Sequence, residues 1–357
     1  MKKHVILGLS GGVDSSVAAY LLKKQGYEVT GLTMQLIPKG ELFKNSEKVF
    51  QNAVIDAKRV ADYLGIPHVI VDMREIFENT VIEYFVQEYG RGRTPNPCIF
   101  CNKNIKFGAL LAETKKLGGD YLATGHYAKN VFVNGKYVLQ RAKDQKKDQT
   151  YFLYHLPQEV LSKVLFPLGD YTKNEIREIA EAKGLPNHSR SDSEEICFVQ
   201  KLSAGDFVEC RNPELNKNGV FKNPEGQSYG THKGIVHYTV GQRRGLGVAA
   251  GTPLYVTEIM ESGDILLDTE KGLLKYHILL DNVIFSNGEP DFSKEYRVKI
   301  RHGLTEYPAK IIQENGEISL LLSQPARDVA IGQSAVIYGE NSVITTQIGR
   351  ASCRERV

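Results

Sequence analysis

"HVILGLSGGVDSSVAAYLLKK", residues 4–24, joins an apolar run to an amphipathic one through a short, glycine-rich turn. The pattern predicts a buried strand, a tight turn and a helix. Glycines at such a junction let backbone N–H groups close round a phosphate, and the helix N-terminus adds a favourable dipole. The loop is not a Walker A loop, because no Lys-Ser/Thr pair follows the second glycine. A plain strand-to-helix turn with no ligand is the simpler alternative.

Outward from this stretch, strand-like and helix-like runs alternate. "YEVTGLTMQL" (27–36), "HVIVD" (68–72) and "YLATGHY" (121–127) read as strands, and "AVIDAKRVADYL" (53–64) and "EIFENTVIEYFVQEY" (75–89) as helices. Such alternation predicts an α/β fold, a Rossmann-like parallel sheet covered by helices on both faces. Gly26, Gly65 and Gly184 stand where helices should stop. "VFVNGKYVLQ" (131–140) carries the Asn-Gly signal of a hairpin, and "TKNEIREIAEAKG" (172–184) a capping-box start. Helical texture ends near 185. Beyond about 252, short alternating runs ("TPLYVTEI", "DILLDT", "YRVKIR", "PAKIIQ", "ISLLLS", "SAVIYG") predict a small C-terminal β-barrel. The expected domains are 1–200, 201–272 and 273–357.

The 357 residues are 24% charged with a net charge of +3, so the chain is globular in composition and only mildly basic, which permits an acidic partner without demanding one. Five cysteines in a chain this long do not form the dense paired framework of a small secreted domain, and they read as thiols of a reducing compartment. No apolar stretch approaches the ~20 residues of a membrane span. The expectation is a cytoplasmic protein.

Ser10-Gly11-Gly12-Val13-Asp14-Ser15 resembles the pyrophosphate loop of the N-type ATP pyrophosphatases, which split ATP between its α and β phosphates. The resemblance implies that Gly8, Leu9, Ser10, Gly11, Gly12, Val13, Asp14 and Ser15 bind ATP, that Asp14 helps place Mg²⁺, and that Met34 and Gly125 line the adenine and ribose side. Read without it, Met34 is a core residue. "GRTPNPCIFCNKNIKF" (92–107), "ATGHYA" (123–128), "KKDQTYFLY" (146–154), "EEICFV" (194–199) and "YTVGQRRGLG" (238–247) together resemble, in order, the tRNA-specific 2-thiouridylases. The activity implied is replacement of O2 of the wobble uridine by sulfur in tRNAs for glutamate, glutamine and lysine. An upstream sulfur donor, such as a cysteine desulfurase or a sulfur carrier, is implied with it.

A C-x-x-C pair alone serves zinc, iron–sulfur and redox sites equally well. By resemblance Cys197 carries a persulfide and Cys101 attacks it, closing a Cys101–Cys197 disulfide or releasing sulfur, while Asn96, Pro97 and Cys98 face the target base. Many relatives carry aspartate, the proposed acid/base, where this chain has Cys98. Three readings stay open: a persulfide relay, a [4Fe-4S] cluster on Cys98, Cys101 and Cys197, and a structural zinc with His126 or His188 as fourth ligand. Cys210 and Cys353 are assigned no chemistry. The resemblance places tRNA contacts at His126, Lys147, Asp148, Gln149, Arg301, His302 and Gln333. Lys143, Lys146, Arg243 and Arg244 are further cations for the backbone. The last stretch, "ITTQIGRASCRERV", departs from the family's glycine-rich close. Two rivals share the loop: a ligase or amidotransferase using ammonia, which would not need Cys101 or Cys197, and a catalytically silent RNA-binding protein.

Overall fold

The structure, a computed structural model, describes residues 2–191, 196–286, 288–327 and 329–339, together with the backbone of 343–345. Its strands, in chain order, are β1 (His4–Gly8), β2 (Glu28–Gln35), β3 (His68–Asp72), β4 (Tyr121–Ala123), β5 (Lys129–Val133), β6 (Lys136–Gln140), β7 (Val164–Leu165), β8 (Val220–Lys222), β9 (Ser228–Thr231), β10 (Tyr255–Ile259), β11 (Ile265–Asp268), β12 (Lys275–Leu280), β13 (Glu295–Lys299), β14 (Tyr307–Glu314), β15 (Glu317–Ala326), β16 (Val336–Tyr338) and β17 (Val343–Thr345). The α-helices are α1 (Val13–Lys24), α2 (Lys44–Leu64), α3 (Arg74–Phe77), α4 (Glu83–Gly90), α5 (Pro97–Cys101), α6 (Leu110–Lys116), α7 (Gln158–Leu161), α8 (Lys173–Ala182) and α9 (Ala204–Arg211). The chain divides into two compact units, one of 1–81, 98–200 and 340–343, the other of 82–97, 201–339 and 344–357.

In the first unit a five-stranded parallel sheet runs in the order β3-β2-β1-β4-β7. β1 is central, which is why Val5, Ile6 and Leu7 are wholly buried and why its sequence is a continuous apolar run instead of an alternating one. The strand order reverses between β1 and β4, and ligands of open α/β sheets bind outside the carboxyl ends of strands at that reversal. Both the loop after β1 and the loop after β4 open there. α1 and α8 share one core with this sheet through Val17, Ala18, Ile176 and Ala180. α8 starts on the expected capping box: the Thr172 hydroxyl accepts from the Glu175 N–H at 3.3 Å, and the Glu175 carboxylate accepts from the Thr172 N–H at 2.7 Å. β5 and β6 pair around Asn134 (φ 49°) and Gly135 (φ 78°), the left-handed pair that a two-residue hairpin turn demands.

The second unit holds a four-stranded sheet, β10-β11-β8-β9, and a six-stranded one, β12-β15-β14-β13-β16-β17. The pairings of β12 to β16 are antiparallel, and their inward residues, among them Ile278, Val298, Ile311, Leu320 and Ile337, form a separate core.

Three local expectations need correction. The strand read over 121–127 ends at Ala123, because the chain turns at once to press Gly125 against the phosphate loop. α2 begins nine residues before the apolar periodicity shows, at Lys44, through a polar first half. Helix also reappears past 185: α9 is capped by Ser203, whose hydroxyl accepts from the Asp206 N–H at 3.1 Å, an S-x-x-D signal legible in the sequence. Beyond Thr345 the C-terminal tail, with Cys353, lies outside the described residues.

Candidate active site

The phosphate loop is held rigid before any ligand arrives. The Ser15 hydroxyl donates to the Gly12 carbonyl at 3.0 Å and accepts from the Ser10 N–H at 3.2 Å, and the Ser16 hydroxyl donates to the same Gly12 carbonyl at 2.9 Å. Asn187 ties the far side, donating to the Gly11 carbonyl and to the Ser16 hydroxyl, each at 2.8 Å. Gly11 has φ +73°, and a Cβ there would overlap the Ala53 carbonyl of α2. Gly125 packs so closely that a Cβ would sit 3.1 Å from the Ser15 nitrogen. Gly11 therefore requires glycine, and a side chain at 125 would press on the Ser15 backbone of the loop. Gly8, Leu9 and Val13 form the walls of the turn, with Leu9 and Val13 buried, and Met34 is half-buried near the C-terminal end of β2.

Asp14 opens α1 and its carboxylate is already occupied. Lys173 Nζ donates to both oxygens, at 2.7 and 2.9 Å, and the Tyr127 hydroxyl donates to one at 2.7 Å. Lys173, at the first turn of α8, is nearly buried. A loop that lacks the Walker lysine thus has a lysine brought to its acid from a distant helix. Sequence reading missed it, since no local motif marks it.

The sulfur chemistry would lie in the same unit. Cys101 is buried in α5, whereas the Cys98 and Cys197 side chains reach solvent, and all are free thiols. Each is close enough to the others to affect ionisation: a charge on Cys101 or Cys98 raises Cys197. Burial is the larger effect, lifting Cys101 to about 11 and Cys197 further still, with Cys98 also raised. Exposure and this burial agree if each sulfur sits in a recess open on one side and walled by protein elsewhere. Lys106 lowers all three.

A zinc ion needs its ligand atoms gathered round one point. Among the described residues, the group of three His, Cys, Asp or Glu ligands with donor atoms within 4.8 Å of one another is Asp206, Glu209 and His237, in the second unit. The three cysteines with His126 or His188 make no such group, which disfavours the zinc reading. His126 is buried, with Nδ1 2.8 Å from the Thr124 hydroxyl and its ring against Phe107 and Phe166. His188 Nδ1 lies 3.2 Å from the Leu185 carbonyl.

The segment 141–149 is wired to the nucleotide loop. Asp144 accepts from the Lys173 N–H at 2.9 Å, and Gln149 Oε1 accepts at 2.9 Å from the N–H of Tyr127, whose hydroxyl reaches Asp14. Asp148 is buried, accepting from the Ala142 N–H at 3.0 Å and the Thr150 hydroxyl at 2.6 Å. Lys143, Lys146 and Lys147 stand exposed on this scaffold. In the second unit Arg301 donates to the Val240 carbonyl at 3.1 Å, beside the "GQRRGLG" segment, with His302 exposed next to it. Gln333 donates to the Thr94 carbonyl at 2.7 Å, near Asn96 and Pro97 in the chain.

Comparison with known proteins decides which family this loop and these thiols belong to. Residues 3–201 match a family model described as "tRNA methyl transferase HUP domain", 205–267 a "tRNA methyl transferase PRC-barrel domain" and 275–345 an "Aminomethyltransferase beta-barrel domain". The chain is 44% identical over 347 residues to the tRNA-specific 2-thiouridylase MnmA of Clostridium acetobutylicum, covering 95% of this chain and 97% of the relative. It is 44% identical over 348 residues to the MnmA of Clostridium perfringens, covering 96% and 97%. The chain belongs to the tRNA-specific 2-thiouridylase family. The expected fold, a parallel sheet with helices followed by a C-terminal β domain, is borne out, as is the class of enzyme. Membership also carries the use of ATP by a pyrophosphate-loop fold. Among solved structures, a 4-thiouridine synthetase–RNA complex with bound ATP aligns with TM-score 0.33 and 18% identity over 60% of this chain and 51% of that one. An NMN synthetase from Francisella tularensis aligns with TM-score 0.32 and 12% identity over 59% and 78%. Neither adds to the assignment. No helix of the described residues is long and apolar enough to cross a membrane.

Proposed function

We propose that the protein is an ATP-dependent tRNA 2-thiouridylase that adenylates O2 of the wobble uridine and then replaces it with sulfur. The observation that carries this reading is the co-occurrence, in one compact unit, of a preorganised pyrophosphate loop and three mutually interacting thiols. The "methyl transferase" wording of two family models fits less well, since neither the loop nor the thiols answer to methyl transfer, and the full-length relatives are 2-thiouridylases.

The chemistry dictates the parts. A uracil carbonyl is a weak electrophile and its oxygen a poor leaving group. Attack of O2 on the α-phosphorus expels pyrophosphate and leaves the oxygen bonded to AMP. The loop N–H groups and Lys173 would take the charge that grows on the leaving pyrophosphate. Asp14 would hold Mg²⁺, which would supply further positive charge to the leaving pyrophosphate, and Lys173 would then be free to face phosphate.

In the sulfur step the Cys101 thiolate attacks the inner sulfur of a Cys197 persulfide. A Cys101–Cys197 disulfide forms, hydrosulfide leaves, attacks C2 and displaces AMP. A two-electron reductant then restores both thiols. Asn96, Pro97 and Cys98 would face the base, with Cys98 in the acid/base position. A second reading has one favouring observation: Cys98 itself stands with Cys101 and Cys197, and three thiols too spread for one zinc suit a cluster, whose ligands bind different irons. Cys98, Cys101 and Cys197 would then hold a [4Fe-4S] cluster, which would supply hydrosulfide as the nucleophile.

The domains divide the labour: 1–200 for nucleotide and sulfur chemistry, 201–272 and 273–357 for the RNA. His126, Lys147, Asp148, Gln149, Arg301, His302 and Gln333 belong to the RNA face; the buried ones, Asp148, His126 and Gln333, act through the backbone they brace. The site of action is the cytoplasm, and an upstream persulfide-delivering protein supplies sulfur. Incubation with ATP, bulk tRNA and a persulfide donor, followed by digestion to nucleosides, tests this reading. 2-Thiouridine formed only with ATP supports it; ATP-dependent amidation or no product refutes it.

A further inference from the structure

The segment after Cys101 is not an α-helix. Residues Asn102–Ala109 form a π-helix, closed by the Leu110 N–H donating to the Ile105 carbonyl, five residues back. In an α-helix, five residues turn the chain through about 140° beyond a full turn, which would carry Lys106 away from the Cys101 face. The five-residue hydrogen-bonding period of a π-helix instead returns residue 106 beneath residue 101. Ile105 and Phe107, on either side, go into the core, and Lys106 is half-buried between them. No carboxylate among the described residues forms an ion pair with it. Its charge is felt by four groups drawn from three separate segments: Cys98, Cys101, Cys197 and His126. Lys103, three residues earlier, is exposed and acts on His155 instead. Two lysines of one turn therefore serve different surroundings.

We propose that Lys106 is the positioning cation of the sulfur site, which the π-helix aims at Cys101 and Cys197 so that it holds the transferring sulfur as an anion. The wide turn then has a purpose, in line with the frequency of π segments at functional sites. The proposal rests on the sulfur-transfer reading above. It holds for hydrosulfide released from a persulfide and for hydrosulfide supplied from outside, because the charge to be held is the same.

The test uses the full chain, tRNA and ATP, with inorganic sulfide as the sulfur source. Two rates are read: pyrophosphate release without sulfide, and 2-thiouridine formation as sulfide is varied. Lys106→Met is expected to raise the sulfide KM or lower the transfer rate by at least about tenfold, the effect of removing one nearby opposite charge. Pyrophosphate release should stay within about twofold, Lys106→Arg should recover most of the transfer, and Lys103→Met should change neither rate. Lys106→Gln, which keeps a polar head, guards against a folding defect, and thermal unfolding of each variant is compared. Unchanged sulfur transfer in Lys106→Met and Lys106→Gln would overturn the proposal, as would equal losses in both rates. Absence of any 2-thiouridine with the unaltered protein, whether sulfide or a persulfide donor is supplied, would overturn the function itself, a distinguishable result.

Discussion

Lys173 Nζ sits 2.7 and 2.9 Å from the two carboxylate oxygens of Asp14, across 159 residues of chain. The pair joins the first turn of α8 to the first turn of α1. Its lysine is nearly buried and its acid one-third exposed, so the ammonium is poised at the mouth of the phosphate loop. Replacing Lys173 by Met should lower adenylation about 100-fold, the scale on which single charge-stabilising donors act. Tyr127 still holds Asp14 in that variant, so loop geometry should persist. Pyrophosphate release from ATP and tRNA measures the loss; full activity would show the lysine to be structural only.

Asp14→Asn keeps the size and one acceptor of the residue while removing its charge. It should abolish adenylation without unfolding the protein, and the nucleotide product of the unaltered enzyme should be AMP. Chromatography of the nucleotides reads both. ADP as product would place this loop outside the pyrophosphatase chemistry.

The Cys98, Cys101 and Cys197 variants separate the two sulfur readings. Cys101→Ala and Cys197→Ala should abolish thiolation, while Cys98→Ser, which removes the acid/base group but no carrier of the transferred sulfur, should slow thiolation without abolishing it, with a persulfide donor and no iron. Equal loss in Cys98→Ser, together with iron and visible absorption in anaerobically reconstituted protein, would replace the relay by the cluster.

Burial holds the Cys101 thiol near 11, above its unfolded value of 9.0. The folded state therefore keeps this proton where the unfolded chain loses it. The associated stability is full below pH 9 and is lost as pH climbs towards 11. Iodoacetamide alkylation of Cys101, mapped by mass spectrometry, should keep accelerating past pH 9 instead of levelling there. Levelling at the free-cysteine value would show the thiol to be poorly enclosed.

Phosphate contacts by lysine and arginine release counterions, so tRNA binding should fall steeply between about 50 and 200 mM salt. Lys147→Glu should weaken binding and flatten that slope while leaving ATP affinity unchanged. Filter binding at several salt concentrations decides it.

How much of this was legible in sequence follows from distance along the chain and from helix period. The phosphate loop is local: two glycines, two serines and an acid at a strand–helix junction state their own conformation. The capping box at Thr172 and the Asn134-Gly135 hairpin are local for the same reason. Lys173 was illegible because its meaning depends on α8 packing against α1, which no spacing encodes. Lys106 was illegible because ordinary helical spacing points it elsewhere; only the π period returns it to Cys101. Asp148 and His126 read as RNA contacts on resemblance; that both are buried, Asp148 accepting from the Ala142 N–H and His126 beside the Thr124 hydroxyl, depends on the folding of their loops, which no spacing encodes.

The central claim is that O2 of the uridine leaves as part of AMP. A tRNA carrying a heavy oxygen isotope at O2 of the wobble uridine, turned over with ATP and a persulfide donor, tests it directly by mass spectrometry of the nucleotides. The account predicts 2-thiouridine and an equal amount of AMP bearing the heavy oxygen in its phosphate. Unlabelled AMP, with the isotope found in water or in pyrophosphate, would contradict it.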